Sequence, residues 1–111
     1  MKASRFPPND SSFKAAAAGA DWKSVPGMAV LLTDQPGKQS WPITGASFIL
    51  IHTQQEKPEN AREVLKFFEW SFKNGQGMAA ELDYVPMPEP VVKQIQAAWK
   101  GVTDGSGKAL Y

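Results

Sequence analysis

His52 is the only histidine in this chain of 111 residues, and there is no cysteine. A catalytic triad or a tetrahedral zinc site needs several side chains converging on one point, and a lone imidazole supplies one ligand at most. His52 is therefore read as a structural or surface residue. The lack of cysteine excludes disulfides, thiolate metal centres and a cysteine nucleophile. Glu59, Glu63 and Glu69 stand among Arg62, Lys66 and Lys73, the pattern of a solvated charged helix face. Nothing in that spacing brings two carboxylates into one cleft for acid–base work. Gly105-Ser106-Gly107-Lys108 has the composition of a phosphate loop but not the spacing G-x-x-x-x-G-K-[ST]. Phe67, Phe68, Trp70, Phe72 and Trp99 could form a stacking platform, yet they lack the interleaved cations of a nucleic-acid surface, so core packing is the better reading. No catalytic residue, metal-ligand set or cofactor site follows from these residues.

The elements that would position any site are short. Pro7-Pro8-Asn9-Asp10 is a turn-and-cap cluster, and Ser11 to Ala18 contains four successive alanines before Gly19, predicting a helix with its stop. Pro26-Gly27 and Pro36-Gly37 mark turns, leaving Met28 to Leu32 as a candidate short strand. Ala46 to Ile51 has the continuous apolar, β-branched and aromatic run of a strand buried on both faces. Pro58 then opens a helix from about Glu59 to Lys73, with Ala61, Val64, Leu65, Phe68 and Phe72 as its apolar stripe and Asn74-Gly75 at its end. Gln76 to Asp83 suggests a short helix. Val91, Val92, Ile95, Ala98, Trp99 and Val102 define a last amphipathic one. The expected class is α/β: about three main helices, one buried strand and short irregular strands.

Bulk composition narrows the partners. Hydrophobic residues make up 42% and charged residues 21%, ordinary for a folded domain, and the formal net charge of +1 implies neither a nucleic-acid patch nor an acidic tail. The first residues carry no apolar run of signal-peptide length. The longest apolar stretch, Phe48-Ile49-Leu50-Ile51, is far too short to cross a bilayer. The sequence as it stands is thus expected to hold neither an export signal nor an anchor.

Seven words in order go further. Ala18-Gly19-Ala20-Asp21-Trp22, Trp41-Pro42-Ile43-Thr44, Phe48-Ile49-Leu50-Ile51-His52, Glu63-Val64-Leu65-Lys66-Phe67-Phe68-Glu69-Trp70, Leu82-Asp83-Tyr84, Ala97-Ala98-Trp99-Lys100 and Ser106-Gly107-Lys108-Ala109-Leu110-Tyr111 together resemble the C-terminal third of the periplasmic phosphate-binding proteins that serve high-affinity ABC importers. Any one of these words is weak, but the ordered set is specific.

The resemblance implies part of a two-lobed receptor of the periplasmic-binding-protein type II fold, which delivers inorganic phosphate to the membrane subunits of an ABC permease. By that analogy residues 1–43 are the tail of the second lobe. Residues 44–111 supply an inter-lobe crossing strand, at about 44–52, and the C-terminal helices of the first lobe. The family grips phosphate with amides and hydroxyls at helix N-termini, an arginine and an aspartate. No segment here matches those loops, so no phosphate-binding residue, catalytic residue, metal or cofactor is assigned to this chain. Periplasmic localisation follows from the family alone. The alternative is a stand-alone interaction or structural domain derived from the same fold. On the receptor reading, a strand without its neighbours predicts self-association or domain swapping, association with the rest of the receptor, or a molten state; a compact monomer would favour the stand-alone domain.

Overall fold

The computed structural model of the chain describes residues 7–111. The start of the chain, including Arg5, lies outside the described residues. Four α-helices order the described residues: α1 (Asp10–Gly19), α2 (Pro58–Asn74), α3 (Gln76–Glu81) and α4 (Glu89–Trp99), with one 3₁₀ turn at Pro26–Met28.

Helices α1 and α2 carry local signals at their ends. Asn9 caps α1: its Oδ1 accepts from the Ser12 amide at 3.0 Å while Ser12 Oγ accepts from the Asn9 amide at 3.1 Å, a reciprocal box that satisfies two otherwise free donors. The word after α1 also has a physical sense. The Asp21 carboxylate accepts from the Lys23 and Ser24 amides and from the Ser24 hydroxyl, and it turns the chain. Trp22 then enters the core, its indole Nε1 donating to the Ala17 carbonyl at 2.8 Å. Pro58 occupies the first turn of α2, where its missing N–H costs nothing, and Lys73 lies in the last turn, where a cation suits the carbonyl end.

Two apolar clusters form the core. Ala17, Trp22, Val30, Leu32 and Val91 make one; Ala61, Leu65, Trp99, Val102 and Leu110 make the other. Helix α4 joins them, because Val91 is buried in the first, Trp99 in the second, and Ile95 packs against both. The 3.6-residue period places these three on one face of the helix. Phe72 lies 6.0 Å from Trp99, and Tyr111 closes the second cluster edge-on to Trp99 at 5.1 Å.

The strand expectations are corrected. Among the described residues there is no β-ladder, only a parallel bridge Gln54–Thr103 and an antiparallel bridge Thr103–Ala109. Ala46 to Ile51, read as buried on both faces, is irregular and exposed apart from Ala46: Leu50 is 95% exposed and Ile49 66%. Composition tells what such a segment can pair with, but a strand exists only as one member of a pair, and no second member lies beside it here. Met28 to Leu32 likewise forms no strand, although Val30 and Leu32 point inward and Leu31 outward. Both bridges meet at Thr103, and the parallel one joins segments far apart in the chain. Thr103 N donates to Thr53 O and Gln55 N to Thr103 O, both at 2.8 Å, with α2 to α4 as the crossover between them. The chain is therefore small and mainly helical.

Candidate functional site

His52 is exposed, and its backbone carbonyl accepts from Gln55 Nε2 at 2.6 Å. It lines an open groove of about 460 Å³ with Leu50, Ile51, Lys57, Asn60 and Val64. No second titratable side chain there forms a hydrogen-bonded pair with the imidazole. Among the described residues no group of three or more histidines and carboxylates is placed to hold a metal ion. Every carboxylate with a shifted titration is shifted down. The Ser24 hydroxyl holds Asp21 below the usual range, Lys73 does the same for Glu69, Lys93 for Glu89, and the Ser106 hydroxyl for Asp104. A general acid needs the opposite, a carboxyl pushed up towards neutrality. The Tyr111 phenol is raised, chiefly by burial, with Glu69 adding to it.

The charged face of α2 is as the sequence implies. Arg62 pairs with Glu59 at 2.8 Å, Lys66 with Glu63 at 2.8 Å and Lys73 with Glu69 at 3.0 Å. Arg62, the one arginine among the described residues, is thus engaged on an exposed helix surface. The helix starts are also poor anion seats. The Ser12 amide of α1 is taken by Asn9, while α2 and α4 each carry a glutamate, Glu59 and Glu89, in the first turn. A carboxylate there opposes an incoming anion that the amides would otherwise attract. Gly105-Ser106-Gly107-Lys108 forms no phosphate cradle: the Asp104 carboxylate accepts from the Ser106 and Lys108 amides at 2.8 and 3.0 Å.

The feature that stands out is apolar. From Ile43 to His52 no backbone N–H or C=O bonds to another backbone group among the described residues; the ladder-like contacts stop at Pro42 and resume at Thr53. Phe48, Ile49, Leu50 and Ile51 are exposed along it. Helix α2 flanks the same groove with Val64 and continues along its outer face with Phe67, which is 59% exposed and stacked on Trp70 at 6.5 Å. The core reading of the aromatics is therefore half corrected. Phe68, Phe72 and Trp99 pack inward; Phe67 and Trp70 do not. Val64, expected in the buried stripe, also faces out. The sequence carried a signal for this second face, since Val64, Phe67 and Trp70 recur at threes beside the Ala61–Leu65–Phe68–Phe72 stripe and widen the apolar arc beyond what one core contact uses.

No family model matches the chain. Individual relatives do. It is 53% identical over 112 residues to phosphate-binding protein PstS of Pasteurella multocida, an alignment covering 99% of this chain and 33% of that protein. It is 50% identical over 93 residues to the protein of the same name from Haemophilus influenzae, covering 84% of this chain and 28% of the relative. Against the Xylella fastidiosa protein it is 45% identical over 92 residues, 83% of this chain and 25% of the relative. The chain thus spans a third or less of the length of these relatives, all of which are named for binding and none for catalysis. By sequence, this chain belongs with the PstS phosphate-binding proteins and corresponds to a C-terminal part of them.

Proposed function

We propose that the chain is the C-terminal portion of a periplasmic phosphate receptor of the type II binding-protein fold, and that the groups gripping phosphate lie in sequence beyond this portion. On this reading residues 1–43 end the second lobe. Residues 44–111 provide the crossing strand and the closing helices of the first. The intact receptor hands inorganic phosphate to the membrane subunits of an ABC permease, and this portion contributes no phosphate ligand of its own.

The observation that carries the reading is identity of 53% across 99% of the chain with a protein named for phosphate binding. The physics supports the division of labour. A dehydrated phosphate needs many convergent donors to replace its hydration, whereas Arg62 is paired and the α1 start is capped. No helix among the described residues is long and apolar enough to cross a membrane, in keeping with a receptor that works beside its permease.

The test is a chimera in which this chain replaces the corresponding third of the Pasteurella multocida protein, expressed in cells lacking their own receptor. Phosphate uptake should return to near the level given by the parent protein. A folded, exported chimera that restores none would refute the assignment.

A further inference from the structure

We infer that Asn74-Gly75 is a covalent modification site, at which the Asn74 side-chain amide deamidates through a cyclic imide, and that the last turn of α2 is the gate holding this reaction in check.

Asn74-Gly75 is the one Asn-Gly pair in the sequence; Asn9 precedes Asp10 and Asn60 precedes Ala61. A glycine after asparagine leaves the attacking backbone nitrogen unshielded by a Cβ and free to rotate towards the side chain. Asn74 is exposed at the end of α2. Both reacting groups are nevertheless held. The Gly75 N–H donates to the Ser71 carbonyl at 2.8 Å, and Asn74 Nδ2 donates to the Trp70 carbonyl at 3.1 Å. Ring closure needs the Gly75 nitrogen to lose its proton and turn towards Asn74 Cγ, so both bonds must break first. Trp70, Ser71, Asn74 and Gly75 belong to one turn and its cap, which makes the gate local to the end of α2. It can open without the core. Phe72 packs against the second cluster, but Lys73, Asn74 and Gln76 beyond it are exposed, and helix ends open at a fraction of the global unfolding free energy.

In the opened turn hydroxide takes the Gly75 amide proton, and the nitrogen's electron pair forms a bond to Asn74 Cγ. The bond from Cγ to Nδ2 breaks, and Nδ2 leaves as ammonia with a proton taken from water. Water then adds to either carbonyl of the imide and opens it, leaving aspartate or isoaspartate at position 74. Nothing is oxidised or reduced. Either product loses the Nδ2 donor to Trp70 and sets a negative charge at the carbonyl end of α2, which the helix dipole disfavours. The isoaspartyl form also adds a methylene to the main chain, so the Gly75 bond to Ser71 cannot re-form in register. Once passed, the gate stays open. Asp104-Gly105 is the other pair with glycine in this place. Its ionised carboxylate is a poor electrophile, is engaged by the Ser106 and Lys108 amides, and could isomerise only without a change of mass.

The test is to age the chain at mildly alkaline pH, in buffer and in urea, and to map the mass of its peptides over time. The mass gain of exchanging an amide NH2 for OH should appear at Asn74 before Asn9 and Asn60. It should accumulate about tenfold or more faster in unfolding urea than in buffer, because the folded site reacts only through its opened fraction. At urea concentrations below the unfolding transition the rate should rise in step with hydrogen exchange of the Gly75 amide, since one opening releases both. Asn74→Gln, whose longer side chain closes a larger ring more slowly, should remove the signal and leave the helical content unchanged. The inference is overturned by no mass gain at Asn74 even in urea, by equal rates in the folded and unfolded chain, by a gain that comes first at Asn9 or Asn60, by a rate that does not follow Gly75 exchange, or by a signal that survives Asn74→Gln. None of these outcomes bears on whether the chain is part of a phosphate receptor.

Discussion

Gly75 sits where α2 hands over to α3, and a Cβ built on it would lie 2.7 Å from the Ser71 carbonyl oxygen. That oxygen already accepts the Gly75 amide at 2.8 Å, so it has no room to retreat. Gly75→Ala should therefore lower stability by about 1–3 kcal/mol through overpacking against backbone, read as a lower urea midpoint with an unchanged slope. A second residue-scale case is Asp104. Its carboxylate accepts from the Ser106 hydroxyl and the Ser106 and Lys108 amides, which lowers its titration below 3.8. A depressed carboxylate stabilises its fold above the unfolded pKa and loses that contribution as pH falls through the folded one. The amide signals of Ser106 and Lys108 should accordingly shift together only below about pH 3.8, and Asp104→Asn should abolish the step. These local devices were partly legible: Asn9 as a cap and Asn74-Gly75 as a stop can be read from residue type, whereas the Asp104 turn cannot be distinguished in composition from a failed phosphate loop.

Elements divide by whether their partners lie within the chain. Helices α1, α2 and α4 satisfy their backbones internally, and the alanine run for α1 and the spacing of apolar residues for α2 and α4 predicted them to within two or three residues at their ends. The segment Ala46–Ile51 has strand composition and no strand, because a ladder needs a neighbour that sequence alone does not supply. Helix α2 shows the same split on its own surface. Leu65 is 1% exposed and packs with Trp99, Val102 and Leu110, while Phe67 stands in solvent. Leu65→Ala should cost about 2–5 kcal/mol as a cavity-forming deletion, and Phe67→Ala should fall within about 0.5 kcal/mol, as exposed sites do. Denaturant unfolding of the two variants in parallel measures the difference. A Phe67→Ala loss as large as that of Leu65→Ala would mean that the outer face of α2 is covered. Periodicity revealed both stripes but not which of them finds a core.

At the scale of the molecule the shape is elongated. The radius of gyration is 15.7 Å, against about 13 Å for a compact domain of this length, and the extents are 51 × 31 × 17 Å. Two small clusters joined by one helix leave Leu31, Ile43 and the Phe48–Ile51 run exposed, an apolar surface of the kind that marks an interface. The ordered words in the sequence pointed to the receptor family before any geometry was known, and the comparisons agree. They could not show the exposed run, which depends on what packs beside it in space.

The most direct test of the central claim, that this portion belongs to a phosphate receptor but holds none of its phosphate ligands, is calorimetric titration with inorganic phosphate at neutral pH. It is run on the chain alone and on the chimera with the Pasteurella multocida protein. The account predicts no saturable heat from the chain and saturable, phosphate-specific binding by the chimera. A saturable signal from the chain alone, at about micromolar affinity or tighter, would contradict it by placing the ligands within these residues.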